Sequence, residues 1–94
     1  MHDVAQWLEH HLREARVTRA YLFGSFYRGE PDPRDVDLIV VFDRIETVHN
    51  LSKLRSAFRD RFGLSLHIQK FHEQQSGLIV SFLQRTGSWE KLYE

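Results

Sequence analysis

LFGSFYRGEPDPRDVDLIVVF, residues 22–42, holds the ends of two strands and the bend between them. Val17-Thr18-Arg19-Ala20-Tyr21-Leu22-Phe23 reads as a strand that Gly24 ends. Gly24 to Gly29 is a turn that opens a short helix. Glu30 to Arg34 is a loop, because Pro31 and Pro33 at alternate positions do not fit a helix interior. Asp35 to Phe42 is the strongest strand in the chain. From Leu38 to Phe42 it is continuously apolar, which predicts burial on both faces. Side chains alternate along a strand, so Asp35 and Asp37 share one face while Val36 points the other way into the core.

Working outward, Asp3 is placed to cap a first helix over Val4 to Ala15. Its Val4, Trp7, Leu8, Leu12 and Ala15 recur at three- and four-residue steps. Beyond the Asp35 strand, Glu46 to Phe62 predicts a long helix with a stripe of Val48, Leu51, Leu54, Phe58 and Phe62. Its Lys53, Arg55, Arg59, Asp60 and Arg61 read as a wet face. Gly63 is placed to end it in a left-handed conformation. Leu64 to Lys70 alternates apolar and polar, as a half-buried strand does. A further helix is expected over Glu73 to Arg85 with Leu78, Ile79, Phe82 and Leu83 inward. Gly87 breaks it, and Trp89, Leu92 and Tyr93 anchor the tail. The expected architecture is α/β, a small mixed β-sheet flanked by helices in the order α-β-(short α)-β-α-β-α, with residues 1–94 as one domain.

The composition narrows the function classes. The 94 residues are 41% hydrophobic and 13% aromatic, which suits a folded chain rather than a disordered one. A chain this short buries only ~60–65% of its unfolded surface, so a homodimer or another partner would help its core. Thirteen basic residues balance thirteen acidic ones, which argues against a strong nonspecific grip on nucleic acid. The absence of cysteine excludes disulfides and thiolate metal sites. No signal peptide and no apolar run of membrane-spanning length is recognisable, and a cytoplasmic location is expected.

Two carboxylates on one strand face make a site for a hard cation. Mg²⁺ commonly takes one or two carboxylates plus substrate phosphates, and a pair of such ions can clamp an in-line displacement at phosphorus. Gly24 lets a phosphate approach the backbone, and Ser25 adds an amide and a hydroxyl. Arg28, one turn later, is a candidate to neutralise the phosphates. It can equally pair with Glu30 or Asp32 on the surface. Tyr27 is read as a packing residue that could instead stack on a base. His10, His11 and His72 show no ligand spacing and are expected to be solvated.

Taken together, Gly24-Ser25, the nine residues from 26 to 34, and Asp35-Val36-Asp37-Leu38 resemble the signature of the DNA polymerase β-type nucleotidyltransferases. The likeness extends over nearly the whole chain, and the small size resembles the minimal members. That resemblance implies Asp35 and Asp37 as metal ligands, two Mg²⁺ ions in an active site, and a nucleoside triphosphate, most plausibly ATP, held at Gly24, Ser25 and Arg28. It also implies transfer of a nucleoside monophosphate to a hydroxyl. Many minimal members are antitoxins to a small helical partner of the HEPN class and place AMP on it.

The sequence departs from the family at one point. Active members usually carry a third carboxylate on the strand after the second long helix, here Leu64 to Lys70, whose polar positions are Ser65, His67 and Gln69. Three readings follow. His67 replaces that group as a base, Glu73 reaches in from beyond the strand, or the site binds metal and nucleotide weakly and catalyses nothing. The last leaves a binding module that neutralises its partner by contact alone.

Overall fold

The computed structural model describes residues 2–93. Its elements are α1 (His2–Glu14), β1 (Arg19–Phe23), α2 (Gly24–Tyr27), β2 (Asp35–Phe42), α3 (Ile45–Phe62), β3 (Ser65–His72), α4 (Ser76–Thr86) and β4 (Trp89–Tyr93). The sheet runs β3-β2-β1-β4. β1 pairs antiparallel with both β2 and β4, while β2 and β3 are parallel. A parallel pair needs a crossover, and α3 supplies it.

The alternation of β2 sorts the layers. Val36, Leu38 and Val40 join Leu66, Ala20 and Leu22 in a core closed by α1 (Val4, Leu8, Leu12) and α3 (Leu51, Leu54, Phe58). Ile39 and Val41 face the other way and meet Tyr21 with Ile79 and Leu83 of α4. The run Leu38 to Val41 is fully buried, as its unbroken apolarity predicts. Gly63 ends α3 at φ 70° with its N–H on Arg59 O at 2.8 Å, as expected of a left-handed cap.

Five expectations are corrected. The tail, expected only to be anchored through Trp89, Leu92 and Tyr93, is a strand, β4, whose register on β1 shifts between Ala20 and Tyr21. Tyr93 explains its hold: its buried hydroxyl donates to Val17 O at 2.9 Å, and Arg13 lies 4.3 Å over its ring. Leu78 is exposed together with Val80, because of the apolar residues of α4 only Ile79, Phe82 and Leu83 turn toward the sheet, Phe82 against Phe23 and Phe71. α4 begins at Ser76 rather than Glu73, since β3 continues to His72 and Glu73 N still donates to Phe42 O at 2.8 Å. Asp3 lies within the first turn of α1, where its charge still suits the helix dipole. His11 is not simply solvated either: its ring stacks on Trp7 at 3.8 Å, with Nδ1 2.9 Å from Trp7 O. Among the described residues no helix is long and apolar enough to cross a membrane.

Candidate active site

β1 and β2 are neighbours, and their register sets Phe23 opposite Asp37. The chain leaves β1 through Gly24, so the bend comes to rest against the Asp37 side chain. Gly24 has φ 86°, a left-handed conformation that glycine adopts without penalty. A Cβ built there would overlap Asp37 Oδ2 and lie 3.0 Å from its Cγ. The missing side chain is therefore what admits the carboxylate. The first backbone bond of α2 is Arg28 N to Gly24 O at 3.0 Å. The amides of Ser25, Phe26 and Tyr27 precede it and have no acceptor within the helix.

Asp35 and Asp37 occupy the sheet face that α4 covers further along, at the end where the site stays open. Asp37 is the more enclosed, its side chain 28% exposed against 45% for Asp35. Burial raises the Asp37 carboxyl above its ordinary value; nearby His67 lowers it, Asp35 raises it, and Arg28 lowers it. The net direction is up, so desolvation and the second acid outweigh the two opposing neighbours.

The parallel register sets Ser65 opposite Asp35 and His67 opposite Asp37. His67 thus enters the site between the two acids. Its Nε2 is 3.5 Å from Asp35 Oδ1 and its Nδ1 3.7 Å from Asp37 Oδ1. Glu73 is excluded by the same register: it lies six residues beyond His67 along β3, or ~20 Å at the usual strand rise. Arg28 sits close enough to act on Asp37, yet its Nε donates to Glu30 Oε2 at 2.6 Å. The surface pairing foreseen for it is therefore made, beside the acids. Ser25 follows directly on Gly24. Among the described residues no group of three or more acidic or imidazole side chains is arranged to hold a metal ion alone.

A family model described as "Polymerase beta, Nucleotidyltransferase" matches residues 6–88. The chain belongs to the polymerase β-type nucleotidyltransferase family. Neither the curated proteins nor the solved structures searched gave a match. In this nucleotidyltransferase the motif residues Gly24, Ser25, Asp35 and Asp37 come from one hairpin, and His67 comes from the strand beside it. Sequence reading named Ser65 only as a polar position of its strand and did not set it opposite Asp35. It also could not reveal that Gly24 and Asp37 touch, although their positions flank a single strand-to-strand bend.

Proposed function

We propose that this domain transfers a nucleoside monophosphate, AMP by preference, from a nucleoside triphosphate to a hydroxyl. The observation that carries this reading is the contact of Gly24 with Asp37, which sets a bare backbone bend against a pair of carboxylates. Asp35 and Asp37 would hold Mg²⁺. The donor set fits the ion, since two carboxylates leave positions for phosphate oxygens and the protein offers no closed cage. When bound, Mg²⁺ supplies positive charge to the α-phosphate and the departing pyrophosphate.

The remaining roles fall to the chain. Gly24 gives the polyphosphate room to approach the backbone, and the amides from Ser25 onward donate to it. Arg28 exchanges Glu30 for a phosphate oxygen. The acceptor oxygen attacks the α-phosphorus, a new P–O bond forms, and the bond to the bridging oxygen breaks as pyrophosphate leaves. His67, standing where active relatives are expected to carry a carboxylate, takes the hydroxyl proton. The resemblance supplies the acceptor class: a hydroxyl on a small helical toxin of the HEPN type, with the present chain as its cytoplasmic antitoxin. A homodimer would enlarge the thin core.

The lack of an acid at residue 67 favours a second reading, neutralisation by contact alone. Incubation with ATP labelled at the α-phosphate, Mg²⁺ and a candidate HEPN protein separates the two. Label on the partner that disappears in Asp35→Ala supports transfer. Transfer of a γ-label instead, or labelling unchanged in Asp35→Ala/Asp37→Ala, rules it out. Neutralisation that survives the double substitution without any labelling establishes the contact reading.

A further inference from the structure

Among the described residues β3 has a single neighbour, β2, so its other edge is open. Ser65 N donates to Arg34 O at 3.0 Å and Glu73 N to Phe42 O at 2.8 Å. In a parallel pair alternate residues bond to a given side. Residues 65, 67, 69, 71 and 73 therefore face β2, and Leu66, Ile68 and Lys70 turn their N–H and C=O groups outward. His72 N, the next in that row, is already taken by Gln75 Oε1 at 2.7 Å.

Along this edge, on the α3 side, runs a groove of two adjoining hollows. The first, about 310 Å³, is lined by Ser52, Arg55, Ser56, Arg59, Ser65 and Leu66. The second, about 100 Å³, shares Ser52 and Arg55 and continues past Ile68 to Lys70. Arg55 and Arg59 stand one helical turn apart on the same face of α3. Both are exposed, as is Lys70, and none forms an ion pair with a carboxylate among the described residues. The basic face of α3 is thus aimed at an unpaired strand.

We propose that the β3 edge takes an extended acidic segment of a partner protein as a fifth strand of the sheet. A polypeptide answers both rows of the edge, donors and acceptors alternating, whereas a nucleic-acid backbone offers chiefly acceptors. Alternate side chains of an added strand recur at ~6.6–6.8 Å on one face, which suits successive hollows along a groove. Three unanswered cations select acidic side chains there. Lys70 and the Gln75 cap also guard the edge against self-pairing, and an acidic strand turns that guard into a contact. Ser65 lines the first hollow and pairs with Asp35, so the docked segment would continue past His67. Only this last point rests on the transferase reading.

The test uses fluorescein-labelled eight-residue peptides on the whole chain, read by anisotropy and by amide exchange. A peptide alternating glutamate with valine should bind, and its lysine–valine counterpart should not. The glutamate peptide N-methylated at alternate amides should bind at least tenfold more weakly. Exchange at the Leu66, Ile68 and Lys70 amides should slow at least tenfold in the complex. Arg55→Glu/Arg59→Glu, two surface positions, should weaken binding at least tenfold. Asp35→Ala/Asp37→Ala should leave binding unchanged, which separates this surface from the chemistry. Equal binding of the N-methylated peptide, unchanged exchange at those amides, tighter binding of an eight-nucleotide single strand, or no binding at all would overturn the proposal.

Discussion

Gly24→Ala tests the contact on which the site is built. Two costs arise at this position. The first is the left-handed backbone, which costs an alanine ~1–2 kcal/mol, less ~0.4–1 kcal/mol returned through the stiffer unfolded chain. The second is the overlap of the new Cβ with Asp37 Oδ2. Overpacking of this kind costs ~1–3 kcal/mol. Gly29 separates the two terms. Its φ is 74°, close to that of Gly24, but nothing lies within 4 Å of a Cβ built on it. Gly29→Ala should therefore show the backbone term alone. The two variants should differ by ~1–3 kcal/mol, or ~4–24 °C in melting temperature for a domain of this size. In an Asp37→Ala background the extra cost of Gly24→Ala should shrink, because the carboxylate it strikes is gone. Urea unfolding of the four proteins of that cycle, with Gly29→Ala beside them, measures each quantity. Gly24→Ala also displaces the Asp37 carboxylate, so any melting-temperature gain from ATP and Mg²⁺ should be lost. If Gly24→Ala proves no more costly than Gly29→Ala, or its cost is the same with and without the Asp37 carboxylate, the bend does not rest on that acid and the site is wrongly built.

His67→Asp places a third acid opposite Asp37; the melting temperature should fall in chelator and rise more with Mg²⁺ than in the parent, and an equal Mg²⁺ response would speak against a metal at this end of the sheet. Asp37→Asn addresses the raised carboxyl. A raised value means the protonated form suits the folded state, so its stabilisation is full below pH 3.8 and is lost as pH climbs through the folded value. The asparagine variant should thus gain over the parent at pH 7 but not at pH 3, and a gap that ignores pH in thermal melts would contradict the burial argument. Tyr93→Phe leaves Val17 O buried without its donor and should cost ~1–3 kcal/mol. Burial pushes the Tyr93 phenol up to about 12 from 10, so the parent should lose stability between pH 10 and 12 while the phenylalanine variant does not.

The two strands of the hairpin were legible because residue chemistry spoke unambiguously there. Two prolines forbade helix, a glycine punctuated, and four buried apolar residues in a row had to be interior. β2 was read to the residue for that reason. β4 was not, because Trp89-Glu90-Lys91-Leu92-Tyr93 carries two charges and an irregular register, so its partner rather than its own sequence makes it a strand. The inward face of α4 was misread at Leu78 because Leu78-Ile79-Val80 is an unbroken apolar run, in which spacing alone does not pick out the buried member. Within the site, Asp35, Asp37, Gly24 and Ser25 were visible from spacing. That His67 and not Glu73 approaches the acids depends on parallel register, which no local pattern encodes.

Only residues 24–34 separate β1 from β2, whereas the Phe23–Trp89 pair closes a far longer loop. The order of assembly follows. A hairpin closes in ~1–10 µs and so can form as soon as Phe42 is available. During synthesis, at ~5–20 residues per second, the 51 residues from 43 to 93 take ~3–10 s to follow. Until β4 has been made, the outer flank of β1 has no strand to pair with. A chaperone acting on this protein would find its substrate there, at Ala20 to Phe23, until Trp89 to Tyr93 arrive to seal it.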